Sequence, residues 1–143
     1  MTANSSLLER YVALYNAGDL NACIDLYAEE AVQRMPDGIF EGRGAIRDRL
    51  AKDLAGFHDA TYTVSSFVEQ GDYFADEFTF TGTQTGTLEL PDGTQLPPTG
   101  RRVEIQGMEL VQVRDGKIIV DNLYYDNVSA LIQLGLAPQL VTA

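Results

Sequence analysis

The hydrophobic period of the chain changes once, near Asp59, and this change limits the possible folds more than any other feature of the sequence. Before it, apolar residues recur at helical spacing; after it, long segments alternate with a period of two. Leu7, Leu8, Tyr11, Leu14 and Tyr15 form one helical stripe, opened by a capping box at Ser6 and Glu9 and stopped by Asn16-Ala17-Gly18. Asp19 can cap a second helix with Leu20, Cys23, Ile24 and Tyr27 on its inner face. Residues 31–35 read as a short strand closed by the Pro36-Asp37-Gly38 turn. A third helix follows Gly42-Arg43-Gly44, with Ile46, Leu50 and Leu54 inside and Arg47, Arg49 and Lys52 on the solvated face. Residues 61–70, 73–85, 101–114 and 117–126 are rich in Val, Ile, Thr, Phe and Tyr, with tight joins at Gly71-Asp72 and Asp115-Gly116. They predict an antiparallel meander, closed by a short helix over 127–136 and a loose tail.

Helices first and long strands after predict a single α+β domain over residues 1–143, its helices covering one face of a curved sheet around an apolar pocket. Gly82, Gly86 and Gly107 mark positions where the strands can bend. The segment 88–100, with Pro91-Asp92-Gly93 and Pro97-Pro98-Thr99-Gly100, suits a rim at the pocket mouth.

Charge and composition narrow the function. Ten Lys and Arg against 21 Asp and Glu give a formal charge of -11, which repels nucleic acid and anionic membrane surfaces. No stretch approaches the roughly 18 apolar residues of a membrane span, and the first residues lack signal-peptide character, so a soluble cytoplasmic protein is expected. One cysteine, Cys23, and one histidine, His58, leave no disulfide, thiolate cluster or multi-imidazole metal site. No Walker loop, Gly-x-Gly-x-x-Gly, His-Glu-x-x-His or Gly-x-Ser-x-Gly occurs. Carboxylates, phenols and amides must carry any chemistry.

Polar residues that interrupt apolar faces are the site candidates. Phe74, Asp76, Phe78, Phe80, Gly82 and Gln84 share one face of their strand, so Asp76 and Gln84 stand among aromatics and need partners, water or a ligand. Glu109 interrupts the Val103, Ile105, Val111, Val113 face, unless a bulge at Gly107 turns it out and brings Met108 and Leu110 in. Asp126 ends the last strand beside Tyr124 and Tyr125; it is a candidate general base, or a cap for the helix that follows. Tyr15, Met35, Tyr124, Phe78 and Phe80 are candidate pocket walls, and His58 is a surface residue or a proton shuttle.

Leu26-Tyr27-Ala28-Glu29-Glu30, Gly42-Arg43-Gly44-Ala45-Ile46-Arg47, Gly82-Thr83-Gln84-Thr85-Gly86, Pro98-Thr99-Gly100-Arg101, Arg114-Asp115-Gly116-Lys117-Ile118, Tyr125-Asp126 and Gln133-Leu134-Gly135 resemble, in order, the SnoaL-like polyketide cyclases. These belong to the group related to nuclear transport factor 2 and ketosteroid isomerase. The resemblance implies a cone-like α+β fold with a mixed or antiparallel sheet, dimeric through the sheet. It implies a carboxylate acting as general acid and base in an intramolecular aldol closure of an apolar or aromatic carbonyl substrate, without metal or organic cofactor. Asp126 matches the carboxylate position, and Gln84 stands where the family often has histidine, its amide able to bond an oxyanion. The same fold hosts isomerases, dehydratases, epoxide hydrolases and noncatalytic binding or scaffold proteins.

Overall fold

A computed structural model of the chain describes residues 1–136. Helix α1 (Ala3–Asn16) starts earlier than its apolar stripe: Thr2 is the N-cap and forms a capping box with Ser5, correcting the Ser6 and Glu9 expectation. Helix α2 (Leu20–Ile24) is capped by Asp19 but lasts only five residues. Strand β1 (Tyr27–Met35) begins where a helix was expected to continue, because Tyr27 and Ala31 are needed in the sheet core. After the Pro36-Asp37 turn the chain forms β2 (Gly38–Glu41), unmarked by alternation, and then α3 (Arg43–Gly56).

The long strands β3 (Thr61–Gln70) and β4 (Tyr73–Thr83) lead to a two-stranded β5 (Leu88–Glu89) and β6 (Gln95–Leu96) hairpin, then β7 (Arg102–Arg114) and β8 (Lys117–Tyr125). Helix α4 (Asn127–Gln133) closes the described chain; the expected tail lies outside the described residues. The main sheet runs β2-β1-β8-β7-β4-β3. All its pairs are antiparallel except β1 with β8, which is parallel, so the meander is inserted into a mixed sheet.

Helices α1 and α3 bury Leu7, Leu8, Tyr11, Ile46 and Leu50 with Phe74, Val103 and Val111 of the sheet. Each such side chain contributes roughly 1.5–3 kcal/mol of hydrophobic stabilisation. Two polar clamps orient the helices. Asn16 exchanges two hydrogen bonds with the Tyr62 backbone, and the Arg43 guanidinium donates twice to the Tyr27 carbonyl.

The β4–β7 register runs unbroken from Tyr73 opposite Gln112 to Thr83 opposite Arg102, passing Phe78 opposite Gly107. No bulge intervenes, so Glu109 points inward and Met108 and Leu110 face out. Gly107 serves close packing: a Cβ there would stand 2.6 Å from the Phe78 ring and from the Tyr124 carbonyl. The register shift comes later, between Gln112 and Val113 opposite β8, which is how Ile118 and Asp121, three residues apart, are both buried.

Candidate active site

A cavity of about 390 Å³ opens between the helices and the concave sheet face. Phe78 and Phe80 of β4, Val103 and Ile105 of β7, Leu123 of β8, Met35 and Phe57 form much of its apolar wall. The tip of the 88–92 turn and the inner face of α4 form part of its rim. Tyr62 stacks on Phe78 at 4.4 Å, and Tyr15 meets Tyr62 edge-on at 5.8 Å.

Into this apolar hollow runs a chain of polar groups. Arg49 donates to Asp53 at 2.6 Å and, through Nε, to Gln33 Oε1 at 2.7 Å. Gln33 Nε2 in turn donates to Asp121 Oδ2 at 3.0 Å, and the Tyr27 hydroxyl donates to the same oxygen at 3.1 Å. Asp121 Oδ2 is thus fixed twice, while Oδ1 is buried with no partner among the described residues. An unpartnered buried carboxylate oxygen is costly unless something occupies the space before it.

Glu109 lies beside Asp121 and within 3.4 Å of the Tyr62 hydroxyl. Burial, then the neighbouring Asp121 and Asp76 charges, push its carboxyl well above the usual range. Asp76, directly across from it on β4, is pushed up to about 6, chiefly by burial. Burial followed by the Glu109 charge likewise raises the Tyr11 and Tyr62 phenols, so both remain neutral donors. Nearer the mouth, Asp37 accepts from Asn127, and burial raises its carboxyl. Burial works against the Arg49 charge, but the adjacent Asp53 together with the surrounding Tyr11, Tyr27 and Tyr15 hydroxyls more than offsets it, holding the guanidinium above its usual range.

Several expected site residues lie elsewhere. Asp126 is exposed, is not among the residues that line the cavity, and accepts the Ser129 backbone N–H on Oδ1 as N-cap of α4, the second of its two expected roles. Gln84 is fully buried but outside the cavity wall; its amide donates to the carbonyls of Gly86, Leu96 and Pro97 and accepts from Thr99, closing the 86–100 loop. Tyr124 is 59% exposed on the convex sheet face, because β8 turns Asp121, Leu123 and Tyr125 inward instead. His58 is exposed and contacts Thr85 at 3.3 Å. Phe78, Phe80, Glu109, Tyr15 and Met35 line the cavity, and Asp76 is buried opposite Glu109 without lining it.

Asp121, Gln33 and Arg49 were not expected in the site. Arg49 follows Ile46 by three residues, which already puts it on the inner face of α3, and its i,i+4 partner Asp53 makes burial tolerable. Nothing in the alternation of β8 distinguishes the Asp121 face from the Asp126 face.

The model of the SnoaL-like domain family matches residues 8–120. The chain belongs to the SnoaL-like family. No curated protein sequence matches it. Among solved structures, this SnoaL-like chain is 30% identical to IdmH of Streptomyces antibioticus, described as a candidate polyketide cyclase, over 92% of this chain and 97% of that one, with a TM-score of 0.75. It is 26% identical to AclR of Streptomyces galilaeus, described as a candidate hydroxylase, over 94% and 96%, with a TM-score of 0.79. A SnoaL-like protein from Jannaschia sp. CCS1 shares the fold at 18% identity and a TM-score of 0.81, over 95% and 93%. A structure described as having the ketosteroid isomerase-like fold, from Catenulispora acidiphila, superposes with a TM-score of 0.75 at 23% identity. Among the described residues no helix is long and apolar enough to cross a membrane.

Proposed function

We propose that this SnoaL-like chain catalyses proton transfer on an apolar, cyclic or polyketide-like carbonyl compound, with Asp121 as general base and Glu109 as general acid. The observation that carries this reading is the free Asp121 Oδ1, buried at the wall of an aromatic pocket beside a carboxyl that burial keeps protonated. An acid that keeps its proton beside a second carboxylate with an unpartnered oxygen is the pairing that acid–base catalysis near neutrality uses. IdmH, described as a candidate polyketide cyclase, supports the substrate class.

In an aldol closure the steps balance within the protein. Asp121 Oδ1 takes the proton from a carbon next to a carbonyl, and the C–H electron pair becomes an enolate. The enolate carbon bonds the second carbonyl carbon, whose π pair moves to oxygen. Glu109 gives that alkoxide its proton, and Asp121 then passes the abstracted proton to Glu109. Tyr11 and Tyr62 supply neutral hydrogen-bond donors along the wall.

Solvent deuterium exchange beside the carbonyl of a bicyclic 1,3-diketone, followed by proton NMR, tests the first step without knowledge of the natural product. Exchange above the buffer rate is expected, and Asp121→Asn should slow it by roughly 10²- to 10⁴-fold. Tight binding of the diketone with no exchange would replace the enzyme with a ligand-binding protein, and full exchange by the variant would remove Asp121 as the base. A homodimer through the convex sheet face is also proposed; Met108, Leu110 and Tyr124 are exposed there.

A further inference from the structure

The mechanism leaves one buried acid unused. Asp76 lies on the concave side of β4, is 2% exposed, and lines neither the main cavity nor the small void of about 10 Å³ beneath it. Both its carboxylate oxygens lack a donor among the described residues. Its cross-strand neighbours are Phe67 on β3 and Glu109 on β7. Two carboxylates directly opposite in a sheet repel, and neither has a cation within reach to offset this: Arg49 is engaged by Asp53 and Gln33. One proton between them removes the repulsion and gives Asp76 the donor it lacks.

We propose that Asp76 and Glu109 form a proton-sharing dyad, in which Asp76 is a positioning residue that returns Glu109 to its protonated form after each turnover. The consequence rests on the proton-transfer reading above. Once Glu109 has given its proton to the substrate oxygen, the dyad carries two facing negative charges. The proton that Asp121 has collected then moves to Glu109, where the facing Asp76 charge favours it. Without Asp76 the facing charge that draws the proton to Glu109 is gone, and regeneration of the base slows.

The groups facing the dyad are Tyr62 from β3, Tyr11 from α1, Tyr27 from β1 and Asp121 from β8, with Arg49 of α3 beyond them. The tyrosines stay neutral through the working range, because burial raises all three phenols. That leaves a clear experiment on the ligand-free full chain. Asp and Glu carboxyl carbons are ¹³C-labelled and followed by NMR from about pH 4 to about pH 9, a span that brackets ordinary carboxylate and imidazole titration.

One glutamate resonance that disappears in Glu109→Gln should report a protonated carboxyl at neutral pH. In Asp76→Asn its midpoint should fall by about one pH unit or more, since the facing charge is gone. A Glu109 midpoint in the ordinary glutamate range, or one that Asp76→Asn leaves in place, overturns the dyad. Should that variant fail to fold, wild type alone decides: the Asp76 and Glu109 resonances must titrate in two mutually perturbed steps, and two independent ordinary titrations refute sharing. Because no substrate is present, an inactive protein with a protonated Glu109 disproves the enzyme reading and spares the dyad, while an active protein with an ordinary Glu109 does the reverse.

Discussion

Asp121 and Asp126 stand five residues apart on one strand and its exit, yet their surroundings give them different work. Asp126 meets water and a helix N-terminus, where an aspartate satisfies an otherwise orphaned backbone N–H. Asp121 meets Tyr27 and Gln33 on one oxygen, while the other is buried with no partner among the described residues. Asp126→Ala should therefore cost about 1 kcal/mol in urea unfolding, the usual value of a lost N-cap, and leave deuterium exchange at the wild-type rate. Loss of exchange in that variant would return the catalytic role to Asp126. The alternation of β8 is legible in the sequence, but which face is inward depends on the shift between Gln112 and Val113, a pairing detail that no local pattern records. Glu109 was legible because an acid on a Val and Ile face is conspicuous; Gln33 was not, since a single glutamine in a short strand signals nothing until Arg49 and Asp121 reach it.

The elements were legible where their period was long. The four long strands and α3 follow from hydrophobic spacing, whereas β2 and the early start of β1 are fixed by pairing with distant partners. Tyr27 pairs with Ile118 and Val32 with Glu41 and Val120, contacts that override the helical stripe. The 84–101 connection shows the same dependence on tertiary context. Its anchors are Gln84, bonded to backbone on both sides of the loop, and Gly86, where a Cβ would lie 1.9 Å from the Ala55 carbonyl oxygen. Lys52 pairs with Glu89 and ties the hairpin to α3. Gln84→Leu leaves the carbonyls of Gly86, Leu96 and Pro97 without that donor, so a loss of about 3 kcal/mol in urea unfolding is expected, with new protease cleavage inside residues 86–100. Unchanged stability and an uncut loop would mean the clamp is dispensable, and the pocket rim is then held by the Lys52 pair and the Leu88 packing alone.

Two expectations belong to the molecule as a whole. Met108 pairs with Tyr124 across β7 and β8, and Leu110 faces Ala75 of β4, so the exposed apolar residues of the convex face form one patch. If that patch joins two copies, Leu110→Lys should convert a dimer to a monomer in light scattering, and a wild-type monomer removes the interface. The second concerns acidity. Asp76 and Glu109 both hold their protons more tightly in the folded chain than in the unfolded one. The native state then binds more protons between the ordinary carboxylate range and the raised folded values, so stability is fully present below that range and is lost as pH rises through it. For Asp76 the window runs from 3.8 to about 6, on the order of 3 kcal/mol, and Glu109 extends it upward. Surface acids add little slope above about pH 5, where they are already ionised in both states. The melting temperature should accordingly fall between about pH 5 and about pH 8, and Glu109→Gln, which leaves an uncharged amide where the dyad's second charge would form, should flatten the decline. A melting temperature that holds level or climbs over that interval would mean the buried acids are relieved by water or rearrangement, and the pocket floor is less dry than its lining indicates.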